Sequence, residues 1–212
     1  MNGANGTDAR AIVARASVNV NGAGEDMNAN GTNGAGVLVV MVGTPGSGKS
    51  KVARERFAHL PIVDMDELKK THPDYDPKNP ATVHAWSQRE AIAQAFAFLA
   101  AGVSFVFDST GMNVARVASF VEQARERGME VHACVVRASL AECRARNQAR
   151  ARTVAEHGIF ERFAMVDATE SELRRLVNRV ECVWNDARAF DRLSWECDVL
   201  EAEEMLRAEG GA

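Results

Sequence analysis

The sequence predicts an α/β fold in which helices cover both faces of a mostly parallel sheet. From residue 36 onward, continuous apolar runs alternate with amphipathic stretches, which is typical of strands and helices in parallel α/β domains. A glycine-rich octet also joins the first apolar run to the first amphipathic stretch. With 212 residues, of which 46% are hydrophobic, the chain is long enough for one such domain over residues 36–212.

Four apolar runs predict buried strands, at residues 36–42, 60–64, 103–107 and 130–136. The stretches between them predict helices at 51–60, 83–101 and 114–127, the last two ended by Gly102 and Gly128. Ser139 and Glu142 have the spacing of a capping box, which predicts a fourth helix that begins there. Two or three further helices and a last strand near 193–197 complete the prediction.

The first 35 residues differ from the rest in composition. Residues 1–35 contain Asn/Gly-rich tracts with almost no large apolar side chains, which predicts a flexible leader. The net charge of −4 excludes a uniformly basic nucleic-acid coat, so a nucleic-acid site would have to be local. The sequence has neither an apolar stretch of about 18 residues nor a hydrophobic signal core. The four cysteines lack C-x-x-C spacing, and we expect reduced thiols in a cytoplasmic protein.

The octet is a complete phosphate-binding loop of the pattern G-x-x-x-x-G-K-[ST], Gly43-Thr44-Pro45-Gly46-Ser47-Gly48-Lys49-Ser50. Its glycines allow several backbone N–H groups to turn towards one anion. The implied ligand is ATP, with Lys49 at the β- and γ-phosphates and Ser50 on Mg²⁺. GTPases and hydrolysing ATPases share this loop, but the chain lacks the N-K-x-D and Asp-Glu signatures of those classes. The pattern therefore favours a small phosphotransferase.

Carboxylates follow the second and third predicted strands, at the edge of the sheet where ligands bind. Asp66 is the predicted general base, with helix capping as the alternative role and Asp64 as the competing candidate. We expect Asp108 either to orient magnesium-bound water or an acceptor hydroxyl, or to cap the turn after its strand.

Five arginines, at positions 137, 144, 146, 150 and 152, concentrate in one region of an otherwise acidic protein. Two interpretations remain open, a helical lid that closes over ATP and a solvated helix face. In the first, Arg150 would be the arginine that neutralises charge on the transferring phosphate.

Four segments together resemble the polynucleotide 5′-kinase group of P-loop kinases and the related zeta-toxin-like kinases, over about residues 37–165. They are the G-x-P-G-S-G-K-S loop at 43–50, the acidic segment at 63–67, the D-[ST]-[TN]-x-x-N element at 107–113, and R-N-x-x-R at 146–150. The resemblance implies a P-loop NTPase fold of three α/β/α layers with an arginine-rich helical lid. It also implies Lys49, Asp66 and Arg150 as catalytic residues, with ATP and Mg²⁺ bound.

The resemblance leaves the acceptor open. Residues implied in acceptor binding or in support of the site are Asp64, Lys69, Asp108, Asn113 and Arg146. Where members of the group often have an arginine beside the catalytic aspartate, this chain has only Lys69 and Lys70, which lack bidentate geometry. The leading expectation is a nucleic-acid hydroxyl, at a 5′-end or on a modified base such as hydroxymethyluracil. The alternatives are a sugar, nucleoside or antibiotic kinase and a nucleotide-binding module without catalysis.

Overall fold

The computed structural model describes residues 36–150, 153–186 and 190–210. Within these ranges it contains five strands and eight helices. In chain order they are β1 (Val37–Val42), α1 (Lys49–Arg56), β2 (Ile62–Asp64), α2 (Met65–Lys69), α3 (His84–Ala101), β3 (Phe105–Asp108), α4 (Val114–Glu126), β4 (Glu130–Arg137), α5 (Leu140–Gln148), α6 (Glu156–Ala164), α7 (Val166–Leu176), β5 (Arg179–Trp184) and α8 (Arg192–Gly210). The predicted leader and Arg152 lie outside the described residues.

All five strands are parallel and form one sheet in the order β2-β3-β1-β4-β5. The predicted α/β class is therefore confirmed, and the four predicted strands are present. Because the strands are parallel, their carboxyl ends meet at one edge of the sheet. β2 and β3 lie on one side of β1, and β4 and β5 lie on the other, so the strand order changes direction at β1. This is the position at which open α/β sheets bind ligands.

Side chains of β1 alternate between two apolar cores, as the two-residue period of a strand requires. Val39 and Met41 pack towards α1, beside Phe57. Leu38 and Val40 face the larger core, to which α3 to α8 all contribute. Helices therefore cover both faces of the sheet, and the strand that leads into the phosphate loop is the most deeply buried element.

The carboxyl end of β4 is joined to α7 and α8 through a buried arginine. The guanidinium of Arg137 is within 2.5 Å of an Asp167 oxygen and 2.7 Å of a Glu170 oxygen. It also lies 4.9 Å from the centre of the Trp195 ring. Only 2% of Arg137 is exposed, so these partners replace the water that the charge lost on burial.

The prediction was wrong about the last strand. Residues 193–197 lie in α8, and the fifth strand is β5, at Arg179–Trp184. Apolar residues at every second position imitated a strand at 193–197, but the inward side chains of α8 follow a helical spacing through Trp195, Val199 and Ala202. The β5 strand was not predicted, because it lies at the sheet edge and its charged residues interrupt the apolar pattern.

No helix in the described part of the chain is long and apolar enough to span a membrane.

Candidate active site

The phosphate loop connects β1 to α1 and depends on its glycines, as two of them illustrate. Gly46 and Gly48 both have φ of 89°, a conformation that other residues rarely adopt. A side chain at Gly46 would also collide with the carbonyl oxygen of Cys143, and one at Gly48 with the amide of Asn185. The backbone of the loop therefore runs against α5 and against the segment after β5.

Lys49 lies inside the loop, where Nζ donates to the carbonyl oxygen of Thr44 at 2.9 Å. Burial lowers the pKa of Lys49 to about 8, although the Asp108 carboxylate opposes the shift. The hydroxyl oxygens of Thr44 and Ser47 are buried and have no hydrogen-bond partner within the described ranges. Buried polar groups without partners are costly, and phosphate oxygens would supply the missing bonds. The loop thus fits the triphosphate for which its sequence is typical.

Two side chains hold the outer face of the loop. Arg146 Nη1 lies 3.4 Å from the carbonyl oxygen of Gly46, 3.3 Å from that of Ser47 and 3.1 Å from that of Asn185. The Asn185 amide donates to the Ser47 carbonyl at 2.7 Å. Arg146 was predicted to bind the acceptor or support the site, and these contacts are with the loop. Asn185 was not identified from the sequence.

Carboxylates from two neighbouring strands lie beside the loop. Asp64 and Asp108 are register partners at the ends of β2 and β3, and the Ser50 hydroxyl donates to Asp108. Burial raises the pKa of Asp108, partly offset by this hydrogen bond and by Lys49. Burial also raises the pKa of Asp64, and the negative charge of Asp108 adds to that shift.

In the acidic segment after β2, the helix cap and the predicted general base are different residues. Asp64, not Asp66, caps α2, because its Oδ1 accepts from the backbone N–H groups of Asp66 at 2.8 Å and Glu67 at 3.4 Å. The Asp66 side chain is 72% exposed and forms an ion pair of 2.5 Å with the buried Lys69. Its charge acts on both Asp64 and Asp108, so the three carboxylates belong to one cluster.

Two arginines act electrostatically on the lysine of the loop. Besides burial, the positive charges of Arg150 and Arg162 contribute to the lowered pKa of Lys49. Arg150 follows α5 and is exposed, whereas Arg162 belongs to α6. Arg162 lies outside the arginine-rich segment, and sequence reasoning missed it.

A cavity of about 280 Å³ adjoins the carboxylates, between the end of β3 and the first turns of α3 and α4. Its apolar wall includes Phe107 and Phe120, and its polar lining includes Asn113, Arg116 and Arg162. Asn113 also caps α4 by accepting from the Arg116 backbone N–H at 3.0 Å. The cavity has the polarity and position of a substrate pocket.

Within the described ranges, no group of three or more His, Cys, Asp or Glu side chains is arranged to hold a metal ion. The contact between Ser50 and Asp108 fits a Mg²⁺ that arrives with the nucleotide, because such ions take few protein ligands and several phosphate or water oxygens. Ser50 would bind the ion directly and Asp108 directly or through water.

The fold, the loop and the adjoining carboxylates define a P-loop kinase-like domain. The chain belongs to the protein family described as AAA domain, which matches residues 38–181. A comparison with curated proteins finds no match.

Solved structures share this fold at low sequence identity. One, from work on the PezAT chromosomal toxin-antitoxin system of Streptococcus pneumoniae, has 10% identity and a TM-score of 0.61, with 95% of this chain and 93% of that chain covered. A putative kinase from Chloroflexus aurantiacus has 15% identity and a TM-score of 0.52, with 79% and 97% covered. The AvrRxo1-ORF1:ORF2 complex with ATP has 18% identity and a TM-score of 0.51, with 66% and 50% covered.

Proposed function

We propose that the protein is a kinase that transfers the γ-phosphate of ATP to the hydroxyl of a small molecule. The observation that carries this proposal is the interaction of the Asp108 carboxylate with Ser50 and Lys49 of the phosphate loop, in a cluster of carboxylates that also contains Asp64 and Asp66. A nucleotide-binding module without catalysis requires only the carboxylate that holds Mg²⁺ beside the loop, whereas phosphoryl transfer to an alcohol also requires a base for the hydroxyl proton.

Each residue has a chemical role in this proposal. Asp66 accepts the hydroxyl proton as the acceptor oxygen bonds to the γ-phosphorus, and the bond from that phosphorus to the bridging oxygen of ADP breaks. We assign the base to Asp66, as the resemblance described above implies, because Oδ1 of Asp64 is engaged as the cap of α2. The Asp66 carboxylate, which pairs with Lys69, would have to turn from that partner towards the acceptor. Lys49, with Arg150 and Arg162, stabilises the charge on the migrating group. Mg²⁺, when bound, would neutralise charge on the β- and γ-phosphates.

Contacts around the basic residues favour a small acceptor over nucleic acid. A polymer site requires cations that are free to contact backbone phosphates. Here four of the candidates form ion pairs, Lys69 with Asp66, Lys70 with Glu67, Arg144 with Glu156 and Arg146 with Glu142. A nucleic-acid hydroxyl, the acceptor favoured by the sequence, remains a prediction that the experiment below includes.

Two of the similar structures support the proposal by their descriptions. One is described as a putative kinase, and another was solved with ATP. At such low sequence identity these structures support a shared fold only, so the assignment of activity depends on the residues of this chain.

The test is transfer of radiolabelled γ-phosphate from ATP to defined acceptors, in parallel with measured binding of the nonhydrolysable analogue AMP-PNP. The acceptors are sugars, sugar acids, phosphorylated trioses, nucleosides, and DNA and RNA oligonucleotides with free 5′-hydroxyls. DNA that contains hydroxymethyluracil completes the set.

We expect AMP-PNP to bind in the presence of Mg²⁺ and label to enter a low-mass acceptor. Label that enters only oligonucleotides would restore the nucleic-acid prediction. Nucleotide binding without transfer to any acceptor would favour a binding module, and the absence of nucleotide binding would refute the kinase assignment itself.

A further inference from the structure

The cavity beside the carboxylates is positively charged and has no acidic residue in its lining within the described ranges. Arg116 and Arg162 both line it. Arg162 has neighbouring acceptors, the Gly158 carbonyl at 2.8 Å and a Glu161 oxygen at 3.5 Å. In the part of the chain that the structure describes, no carboxylate pairs with Arg116. A half-buried guanidinium without a counter-ion, in a protein of net charge −4, is the kind of group that binds an anionic ligand.

The position of Arg116 strengthens the positive potential. The residue lies in the first turn of α4, a helix of 13 residues that begins after the Asn113 cap. Helix N-termini carry partial positive charge, and no acidic residue in that first turn offsets it. The backbone N–H of Arg116 is already bonded to Asn113, so the guanidinium is the group available to a ligand.

The cavity lining combines residues from beside the carboxylates with residues of α4. Ser109, Thr110 and Gly111 directly follow Asp108 in the chain, and the charge of Arg162 at this cavity acts on Lys49 of the phosphate loop. Arg116 is one helical turn beyond Asn113, towards Phe120. A ligand that spans the cavity can therefore present a hydroxyl to the carboxylate cluster and an anionic group to Arg116.

The size of the cavity limits the ligand. Its volume of about 280 Å³ is at the lower end of the roughly 300–1,000 Å³ of small-molecule pockets. Sugar acids and phosphorylated trioses are of this size, whereas a nucleic-acid strand would have to leave most of its length outside.

We infer that the acceptor is a small alcohol that also bears a carboxylate or phosphate group, and that Arg116 binds this anionic group. The inference rests on the proposed kinase function and adds the chemical class of its acceptor. Arg162 serves the transferring phosphate, and Arg116 selects the acceptor by its charge.

Calorimetric titration of the protein loaded with Mg²⁺ and AMP-PNP tests the inference directly. The probes are matched pairs, glycerol 3-phosphate and glycerate against glycerol, and gluconate against glucose. We expect at least one anionic member to bind with 1:1 stoichiometry and its neutral counterpart to bind at least about tenfold more weakly. Arg116→Gln should weaken that binding by about 10- to 100-fold, because a hydrogen-bonded charge pair is lost.

Control variants separate this effect from misfolding. Arg116→Lys should retain part of the affinity, since the charge remains but the fork geometry does not. Arg127→Gln, at the exposed opposite end of the same helix, should have no effect. Melting temperatures and AMP-PNP affinities should match the parent protein in all three variants.

Two kinds of failure are distinguishable. Failure to bind AMP-PNP would refute the proposed function. If AMP-PNP binds, the inference alone is overturned by equal affinity for the neutral and anionic members, by binding of none of the anions, or by unchanged affinity in Arg116→Gln.

Discussion

The phosphate loop and the acceptor cavity lie at the same edge of the sheet, but their surroundings differ. Lys49 contacts the loop from inside, while Arg146 and Asn185 bond to its carbonyl oxygens from outside. The acceptor side instead begins with the five-residue α2 and a mostly exposed loop over residues 70–83. The donor nucleotide is common to many kinases and can be bound by a rigid, contiguous loop. Acceptor specificity requires separate elements that can vary independently of that loop.

The largest expected effect is on the donor side. Lys49→Met should lower phosphate transfer by about 10³-fold or more, because the lysine stabilises charge on the migrating phosphate. The melting temperature should not fall, since burial of the charged lysine is unfavourable in the empty loop, as its lowered pKa indicates. Lys51→Met is a suitable control, because Lys51 lies two residues away on the exposed side of α1. Normal transfer by folded Lys49→Met would contradict the role given to the loop.

Substitution of the proposed base should affect the turnover number but not the affinity for ATP. Asp66→Asn should lower the turnover number by about 10²-fold or more while the affinity for ATP stays nearly constant, because a general base acts on the chemical step. Asp64→Asn should retain most turnover, since asparagine also caps helices well. Steady-state kinetics with AMP-PNP titration measures both quantities. The opposite pattern, with turnover lost in Asp64→Asn only, would transfer the base to Asp64.

Loss of the contacts that Arg146 and Asn185 make with the outside of the phosphate loop should have a smaller effect, confined to nucleotide affinity. Arg146→Ala and Asn185→Ala should each weaken ATP binding by about 3- to 10-fold, the effect of one or two lost hydrogen bonds. Because both side chains bond to the Ser47 carbonyl, the double variant should lose less than the two single effects combined. Arg144→Ala, on the same helix but paired with Glu156, should bind ATP normally. Altered acceptor affinity in Arg146→Ala would instead support its predicted acceptor role.

The smallest expected effect concerns the leader. Deletion of residues 1–35 should leave the melting temperature and transfer to small acceptors almost unchanged, because the segment lacks apolar anchors. Calorimetry and the transfer assay compare the two proteins. A selective loss of transfer to nucleic acid would identify the leader as an accessory binding segment and would revive the polymer as acceptor.

The sequence predicted the donor side better than the acceptor side, for a physical reason. The phosphate loop is contiguous, and its glycines, lysine and serine are recognisable by spacing. Arg146 lies 100 residues from Gly46, and Asn185 lies 138 residues from Ser47, so only the folded sheet brings them to the loop. Arg116 of α4 and Arg162 of α6 are 46 positions apart in the chain and both line the cavity only because of the fold. No local sequence spacing predicts such contacts, because they form only in the folded chain.

The buried Arg137 has a consequence for the boundaries of the folding unit. The family match ends at residue 181, yet Trp195, which packs on the Arg137 guanidinium, is only 1% exposed, and Ala202 is completely buried. A fragment cut at residue 181 would keep every catalytic residue proposed above but would uncover this guanidinium and remove Asn185 from the phosphate loop. Recombinant fragments designed from family boundaries should therefore be unstable, and a usable enzyme fragment must extend through α8.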